Sequence, residues 1–229
     1  MIYVTGDTHG HIDMNKLSAA RWPEGKTLTE NDVVIICGDF GLLWDAPDKI
    51  SGTERAWTKW LNSKPWTTLF VDGNHENFHR IYDCPVVEKY GGKVHKVSDK
   101  IFHLMRGEYY NIQSKTFWVF GGATSVDKWA RVENISWWAE EMPTYEEMNH
   151  GIDVLMEHNM TVDYILTHCA PRKVQTQIAP YYESDQLNAF FNVIYADAKF
   201  KHWYCGHYHT DETFNGNFTV LYKSIQKID

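Results

Sequence analysis

Five apolar runs along the chain end in the same way. Residues 2–5, 33–37, 67–72, 162–167 and 202–205 close on polar clusters: Gly6-Asp7, Gly38-Asp39, Gly73-Asn74-His75, His168 and Gly206-His207. Runs rich in Val and Ile without alternation predict strands covered on both faces, as in a layered α/β sheet. The polar clusters then fall at strand carboxyl ends, the edge where loops converge and ligands bind.

Helix signals lie between the runs. Ser51-Gly52-Thr53-Glu54 and Thr144-Tyr145-Glu146-Glu147 match the capping box, each before an amphipathic stretch, and Ser184 or Asp185 caps a third helix reaching about residue 199. Residues 93–120 change to short runs broken by Ser98-Asp99 and Arg106-Gly107, which predict antiparallel hairpins, and Asn215-Gly216 predicts another. With no repeat and no Pro- or Ser-rich linker, residues 1–229 read as a single domain. A Trp-rich loop occupies about 123–143. Phe117, Trp118, Phe190 and Phe191, inside apolar patterns, read as core.

Composition narrows the function classes. Apolar residues at 43% and charged residues at 23% exclude a disordered or fibrous chain. The longest apolar runs fall far short of the ~18 residues a bilayer span needs. The chain opens directly on a β-type run with no basic or apolar leader, which leads us to expect a cytoplasmic protein. Cys37, Cys84, Cys169 and Cys205 are far apart without a C-x-x-C pair, so reduced thiols are expected. A net charge of −8 with scattered Lys and Arg lacks the footprint of a binder of long nucleic acid. The 12 histidines carry the opposite message, because imidazole serves both metal ligation and proton transfer near neutral pH.

Singly, the polar residues at the strand ends are ordinary turn residues. Collected on one rim, Asp7, His9, Asp39, Asn74, His168, His207 and His209 offer two carboxylates, one amide and four imidazoles. That mixed O/N set suits Mn, Fe or Zn better than Ca and exceeds one tetrahedral site. Two ions ~3.5–4 Å apart sharing a carboxylate form an arrangement suited to displacement at phosphorus. Two dications against two carboxylates leave a local excess of about +2 that would draw a phosphate.

The blocks Gly6-Asp7-Thr8-His9-Gly10, Gly38-Asp39, Gly73-Asn74-His75-Glu76, His168 and Gly206-His207-Tyr208-His209 stand in the order GDxHG, GD, GNH[DE], H, GHxH. In this the chain resembles the calcineurin-like metallophosphoesterase superfamily, from residue 6 to residue 209. The resemblance implies two mixed β-sheets flanked by helices. It implies Asp7, His9 and His209 on one ion, Asn74, His168 and His207 on the other, and Asp39 bridging. It makes His75 a non-ligand general acid, with Glu76 in a position to orient it, and a metal-bridging hydroxide the in-line nucleophile. Mn is the expected ion, with Fe, Zn and Ni also suited.

The expected activity is hydrolysis of a small phosphomonoester, phosphodiester or nucleotide. A serine/threonine protein phosphatase is an alternative, but that branch carries GDxVDRG where this chain reads Gly38-Asp39-Phe40-Gly41-Leu42-Leu43-Trp44-Asp45, without the arginine. Nuclease branches add a DNA-contacting domain for which no length remains, although cyclic nucleotides and short oligonucleotides stay open. A non-catalytic metal-binding scaffold is the alternative from another class, and the full donor set with His75 argues against it. In the loop, Arg131 offers a bidentate phosphate contact, and Trp129, Trp137 or Trp138 a stacking surface, unless these indoles pack as a satellite cluster. Cys37, Cys169 and Cys205 adjoin candidate ligands but read as small apolar residues at strand ends. The sequence leaves oligomeric state open.

Overall fold

The computed structural model describes residues 1–228. In chain order its first half forms β1 (Ile2–Thr5), β2 (Val33–Cys37), α1 (Gly52–Asn62), β3 (Thr67–Val71), α2 (Phe78–Tyr82), β4 (Val86–Lys89), β5 (Gly92–Lys96), β6 (Ile101–Leu104), β7 (Tyr109–Ile112) and β8 (Lys115–Phe120). The second half adds α3 (Tyr145–Glu157), β9 (Tyr164–Thr167), α4 (Arg172–Ile178), α5 (Gln186–Asp197), β10 (His202–Cys205), β11 (Glu212–Phe214), β12 (Phe218–Val220) and β13 (Ile225–Ile228).

The strands make two mixed sheets, one of seven strands ordered β13-β1-β2-β3-β6-β5-β4 and one of six ordered β11-β12-β10-β9-β8-β7. The continuous apolar runs have the expected cause, because each central strand is buried on both faces. Ile2, Val4, Val33, Ile35, Leu69 and Val71 face inward against Phe117, Val119, Leu166 and Tyr204 of the other sheet. The alternate residues Tyr3, Val34, Ile36 and Phe70 face outward under Leu61 of α1 and Ile81 of α2. On the far side, Trp118, Phe120, Ile165 and Trp203 are covered by Leu155 of α3 and by Leu187, Phe191 and Ile194 of α5. The result is a helix–sheet–sheet–helix sandwich. No helix among the described residues is long and apolar enough to cross a membrane.

The caps form largely as expected. Thr144 and Glu147 complete a capping box on α3, and Asp185 rather than Ser184 caps α5, with Asn188 closing its box. At α1 only half a box forms: Ser51 Oγ accepts from Glu54 N at 3.0 Å. The Glu54 carboxylate turns instead to Arg80 Nη1 at 2.5 Å and to the backbone N–H groups of Trp44 and Asp45. Of the two hairpins expected in residues 93–120, the one at Ser98-Asp99 forms as β5–β6, but the Arg106-Gly107 break instead carries the chain from β6 to β7 of the other sheet, where β7–β8 turns at Gln113-Ser114, both at positive φ. Asn215 and Gly216 sit at φ +54° and +77°, the left-handed pair a tight hairpin turn requires, and join β11 to β12.

The arrangement that positions the site is parallel pairing in register. Thr5 lies opposite Ile36 and Cys37 opposite Val71, so the loops after β1, β2 and β3 leave the first sheet side by side. Phe120 opposite Thr167 and Leu166 opposite Tyr204 do the same for β8, β9 and β10. The five polar clusters therefore meet at one end of the sandwich.

Candidate metal centre

The loops after β1 and β2 are bonded to each other: Thr8 N and His9 N both donate to Asp39 O, at 3.0 and 2.8 Å. His9, Asp39, His207 and His209 all have positive φ, between +42° and +69°. Such backbone costs a non-glycine residue roughly 1–2 kcal/mol and gathers at functional sites, where the surroundings hold it in place. Glycine is required where the loops touch. A Cβ on Gly38, at φ +92°, would lie 2.0 Å from His168 Nδ1, and one on Gly73 would lie 2.2 Å from Asp39 Oδ1.

The hydrogen bonds assign the imidazoles. His168 Nδ1 lies 2.9 Å from the Cys37 carbonyl and must donate to it, so a neutral His168 directs a lone pair from Nε2. That Nε2 faces two oxygens, Asn74 Oδ1 and Asp39 Oδ1, each at 3.2 Å. His9 repeats the pattern. Its Nδ1 is 2.8 Å from Asp13 Oδ2, and its Nε2 faces Asp39 Oδ2 at 3.3 Å. Acceptors thus converge on acceptors, an arrangement that demands a cation between them.

In the metal-free chain protons supply that charge. Burial opposes it, but the Asp39 carboxylate outweighs burial and lifts His168 to about 10 and His9 to about 9. Asp39 itself, despite its burial, is held well below the usual carboxylate range by His168 and His9. Asp7 is fully buried and also lowered, its Oδ2 3.2 Å from His209 Nε2 and both oxygens accepting from His207 N at 3.0 and 3.1 Å. The His207 ring stands 5.0 Å from that of His168, and burial pushes its pKa down to about 3.

All seven expected donors therefore meet. Two groups have donor atoms within 4.8 Å of one another: Asp7, His9 and His209, and His9, Asp39 and His75. His75 enters through its ring, 5.4 Å from that of His9. Its backbone N–H donates to Asp39 Oδ1 at 2.8 Å, and the Trp44 ring stacks on it at 6.0 Å. Burial and Arg131 hold its pKa below the usual imidazole value, against the pull of Asp39.

The Trp-rich loop reaches the centre at two points. Arg131 Nη1 and Nη2 lie 3.4 and 3.2 Å from the two ring nitrogens of His75. Asp127, at 2.8 and 2.9 Å, and the Ser136 carbonyl, at 3.1 Å, hold the guanidinium there. Ser125 Oγ accepts from Asn74 Nδ2 at 3.2 Å and donates to the buried Glu141 Oε2 at 2.6 Å, which fixes the amide with Oδ1 toward His168. Trp138, by contrast, is buried edge-on against Trp44 at 5.2 Å and Trp137 is half-buried, leaving Trp129 as the exposed indole.

One expectation is corrected. Glu76 does not orient His75: it is fully buried and accepts from the backbone N–H groups of Phe40 and Gly41, at 2.6 and 3.2 Å, bracing the loop after β2. Residues that the sequence reading missed surround the donors. Asp13 holds His9, and Tyr222 stacks on His209 at 4.6 Å while its hydroxyl reaches Asp13 at 3.3 Å. Lys16, buried, donates to the carbonyls of Gly6 and Asp7 at 2.8 Å and to that of Tyr222, tying the strand-end loops together. All four cysteines are free thiols; beside the donors, Cys37 contributes its carbonyl to His168.

A comparison with curated proteins returned no match. A model of the calcineurin-like phosphoesterase family matches residues 1–211, a span that includes every donor named above. With two mixed sheets flanked by helices, and the site at their joint carboxyl end, the chain belongs to the calcineurin-like phosphoesterase family.

Proposed function

We propose that this protein is a binuclear metallophosphoesterase that hydrolyses a small phosphoester or nucleotide. The observation that carries the reading is the pair of Nε2 atoms, on His9 and His168, turned toward opposite oxygens of one carboxylate, Asp39. In this reading Asp7, His9 and His209 hold one divalent ion, Asn74, His168 and His207 hold the other, and Asp39 serves both. The donor set suits Mn, with Fe, Zn and Ni also accommodated. Ions bound there would supply positive charge to phosphoryl oxygens and acidify a bound water toward pKa ~7.

The remaining work falls to the chain. His75 stands at the edge of the donor set and of a cavity of about 420 Å³ lined by His9, Leu42 and Trp44. It gives a proton to the departing oxygen. Arg131, clamped by Asp127, is placed to bind a phosphoryl oxygen with the guanidinium nitrogens that now face His75. Asp39 in addition donates no proton but fixes His75 through its backbone N–H.

Substitution at the two catalytic positions tests the roles. His75→Ala is expected to keep its ions, read by elemental analysis, and to lose most turnover. Asp39→Ala is expected to lose ion occupancy as well. Equal ion loss in both variants would contradict the assignment.

A further inference from the structure

Two cavities reach different members of the donor set, one at His9 and the other at His207. The first is the 420 Å³ space beside His75 and Trp44. The second, of about 580 Å³, is lined by the start of the Trp-rich loop, the segment before α5 and His207. Trp129, Tyr181 and Tyr182 are among its walls. Trp129 is 86% exposed and Tyr181 80% exposed, an unusual position for large rings whose burial would otherwise contribute to stability. Tyr182 links them to the centre: its ring is 5.0 Å from Tyr181 and 6.2 Å from His207.

The polar groups of this second cavity are largely engaged. Thr124 Oγ1 donates to Asp185 Oδ2 at 2.5 Å, Asn188 Nδ2 to the Ala170 carbonyl at 2.9 Å, and Tyr208 OH to Gln175 Oε1 at 2.8 Å. Recognition there falls to the open aromatic faces. Flat rings with free faces beside a phosphate-binding centre suit a planar partner, because base–aromatic stacking needs no particular hydrogen-bond pattern.

The position of His75 decides which part of the substrate lies where. The departing oxygen takes its proton from His75, so the alcohol that leaves occupies the 420 Å³ cavity. A substituent that stays on phosphorus needs separate room, and a monoester has no such substituent. The His207 cavity is that room.

Resting on the phosphoesterase reading above, we propose that the substrate is a phosphodiester whose retained arm carries a nucleobase-like planar ring, seated in the cavity walled by Trp129, Tyr181 and Tyr182. One water is consumed. Its oxygen bonds to phosphorus, the bond to the leaving alcohol's oxygen breaks, and that oxygen takes the His75 proton. The proton released by the attacking water restores His75, leaving an alcohol and a phosphomonoester that bears the aromatic arm.

The test compares substrates that share one leaving group. p-Nitrophenol release by the Mn-loaded full chain is measured from thymidine 5′-(p-nitrophenyl phosphate), from methyl p-nitrophenyl phosphate and from p-nitrophenyl phosphate. The thymidyl diester is expected to exceed the methyl diester about tenfold or more in kcat/KM, mainly through KM, the worth of a base–aromatic stack. The exposed positions allow a folded Trp129→Ala/Tyr181→Ala variant, in which that ratio is expected to fall toward one. Calorimetry gives a readout apart from turnover: the product thymidine 5′-monophosphate is expected to bind this variant about tenfold more weakly. A ratio near one in the unaltered protein, or a ratio and product affinity unchanged in the variant, would overturn the proposal. Chelator-sensitive release from the monoester alone would overturn it and leave the phosphoesterase reading standing. No chelator-sensitive release from any of the three, with ions bound, would overturn both.

Discussion

Loading the metal-free protein with divalent ions is expected to expel protons, and the structure sets how many. His9 stands at about 9 and His168 at about 10, because the Asp39 carboxylate overcomes the opposing effect of burial. At about pH 7.5 both imidazoles are more than nine-tenths protonated, and the proton at stake sits on the Nε2 that faces Asp39. An ion coordinated there has to displace it. At ~1.36 kcal/mol per pKa unit, that displacement costs about 2 kcal/mol at His9 and about 3 kcal/mol at His168. His207, already pushed down to about 3, contributes no proton. Calorimetric Mn titrations in two buffers of different ionisation enthalpy, at a common pH, give the count directly. About two protons per protein are expected from these imidazoles, and up to one more from an ion-bound water of pKa ~7, with the apparent affinity of each site rising roughly tenfold per pH unit up to about 9. The sign for stability follows from the same values. Both folded pKa values lie above the unfolded value of ~6.5, so these pairs stabilise the metal-free protein fully below that pH. Their contribution is lost as pH rises through about 9 to 10, a loss that ion loading abolishes. A proton count near zero would refute the assignment of these nitrogens as the metal-facing atoms.

Other perturbations separate the parts of the site. Ser125→Ala breaks the chain from Asn74 to Glu141 and is expected to weaken one of two ions about 10–100-fold by calorimetry while sparing the other; equal weakening would contradict the pairing of Asn74 with a single site. Arg131→Met is expected to raise KM for phosphoester substrates about tenfold or more with ion content unchanged by elemental analysis, whereas loss of ions would show a structural role instead. Arg106→Met leaves the buried Asp72 carboxylate without the guanidinium now 2.6 and 2.9 Å away, and urea unfolding is expected to show a loss of about 3–5 kcal/mol. A loss under about 1 kcal/mol would mean that His103, 3.0 Å from Asp72, suffices alone.

The central sheet strands were legible because burial on both faces leaves a signature that needs no partner information: Val33 through Cys37 are apolar without a break. Edge strands lack it. β4 alternates exposed and half-buried residues over four positions and β13 is largely half-buried, so neither stood out from loop sequence. The short helices α2 and α4, of five and seven residues, complete too few turns to show a periodic face. At the site, the donors were legible because each lies within four residues of a strand's carboxyl end. Ser125 and Tyr222, which support them, were not, because their partners are distant in sequence: Ser125 is 51 residues from Asn74, and Tyr222 is 209 residues from Asp13. Glu76 shows the opposite error, since adjacency to His75 suggested contact while the chain direction sends its carboxylate to Phe40 and Gly41.

The central claim is tested most directly by initial rates of p-nitrophenol release from p-nitrophenyl phosphate and bis(p-nitrophenyl) phosphate. The full chain would be assayed first with added Mn and then with excess chelator. Release from at least one of them, abolished by chelator and restored by Mn, is expected. No chelator-sensitive release from either, with two ions shown bound by elemental analysis, would contradict it.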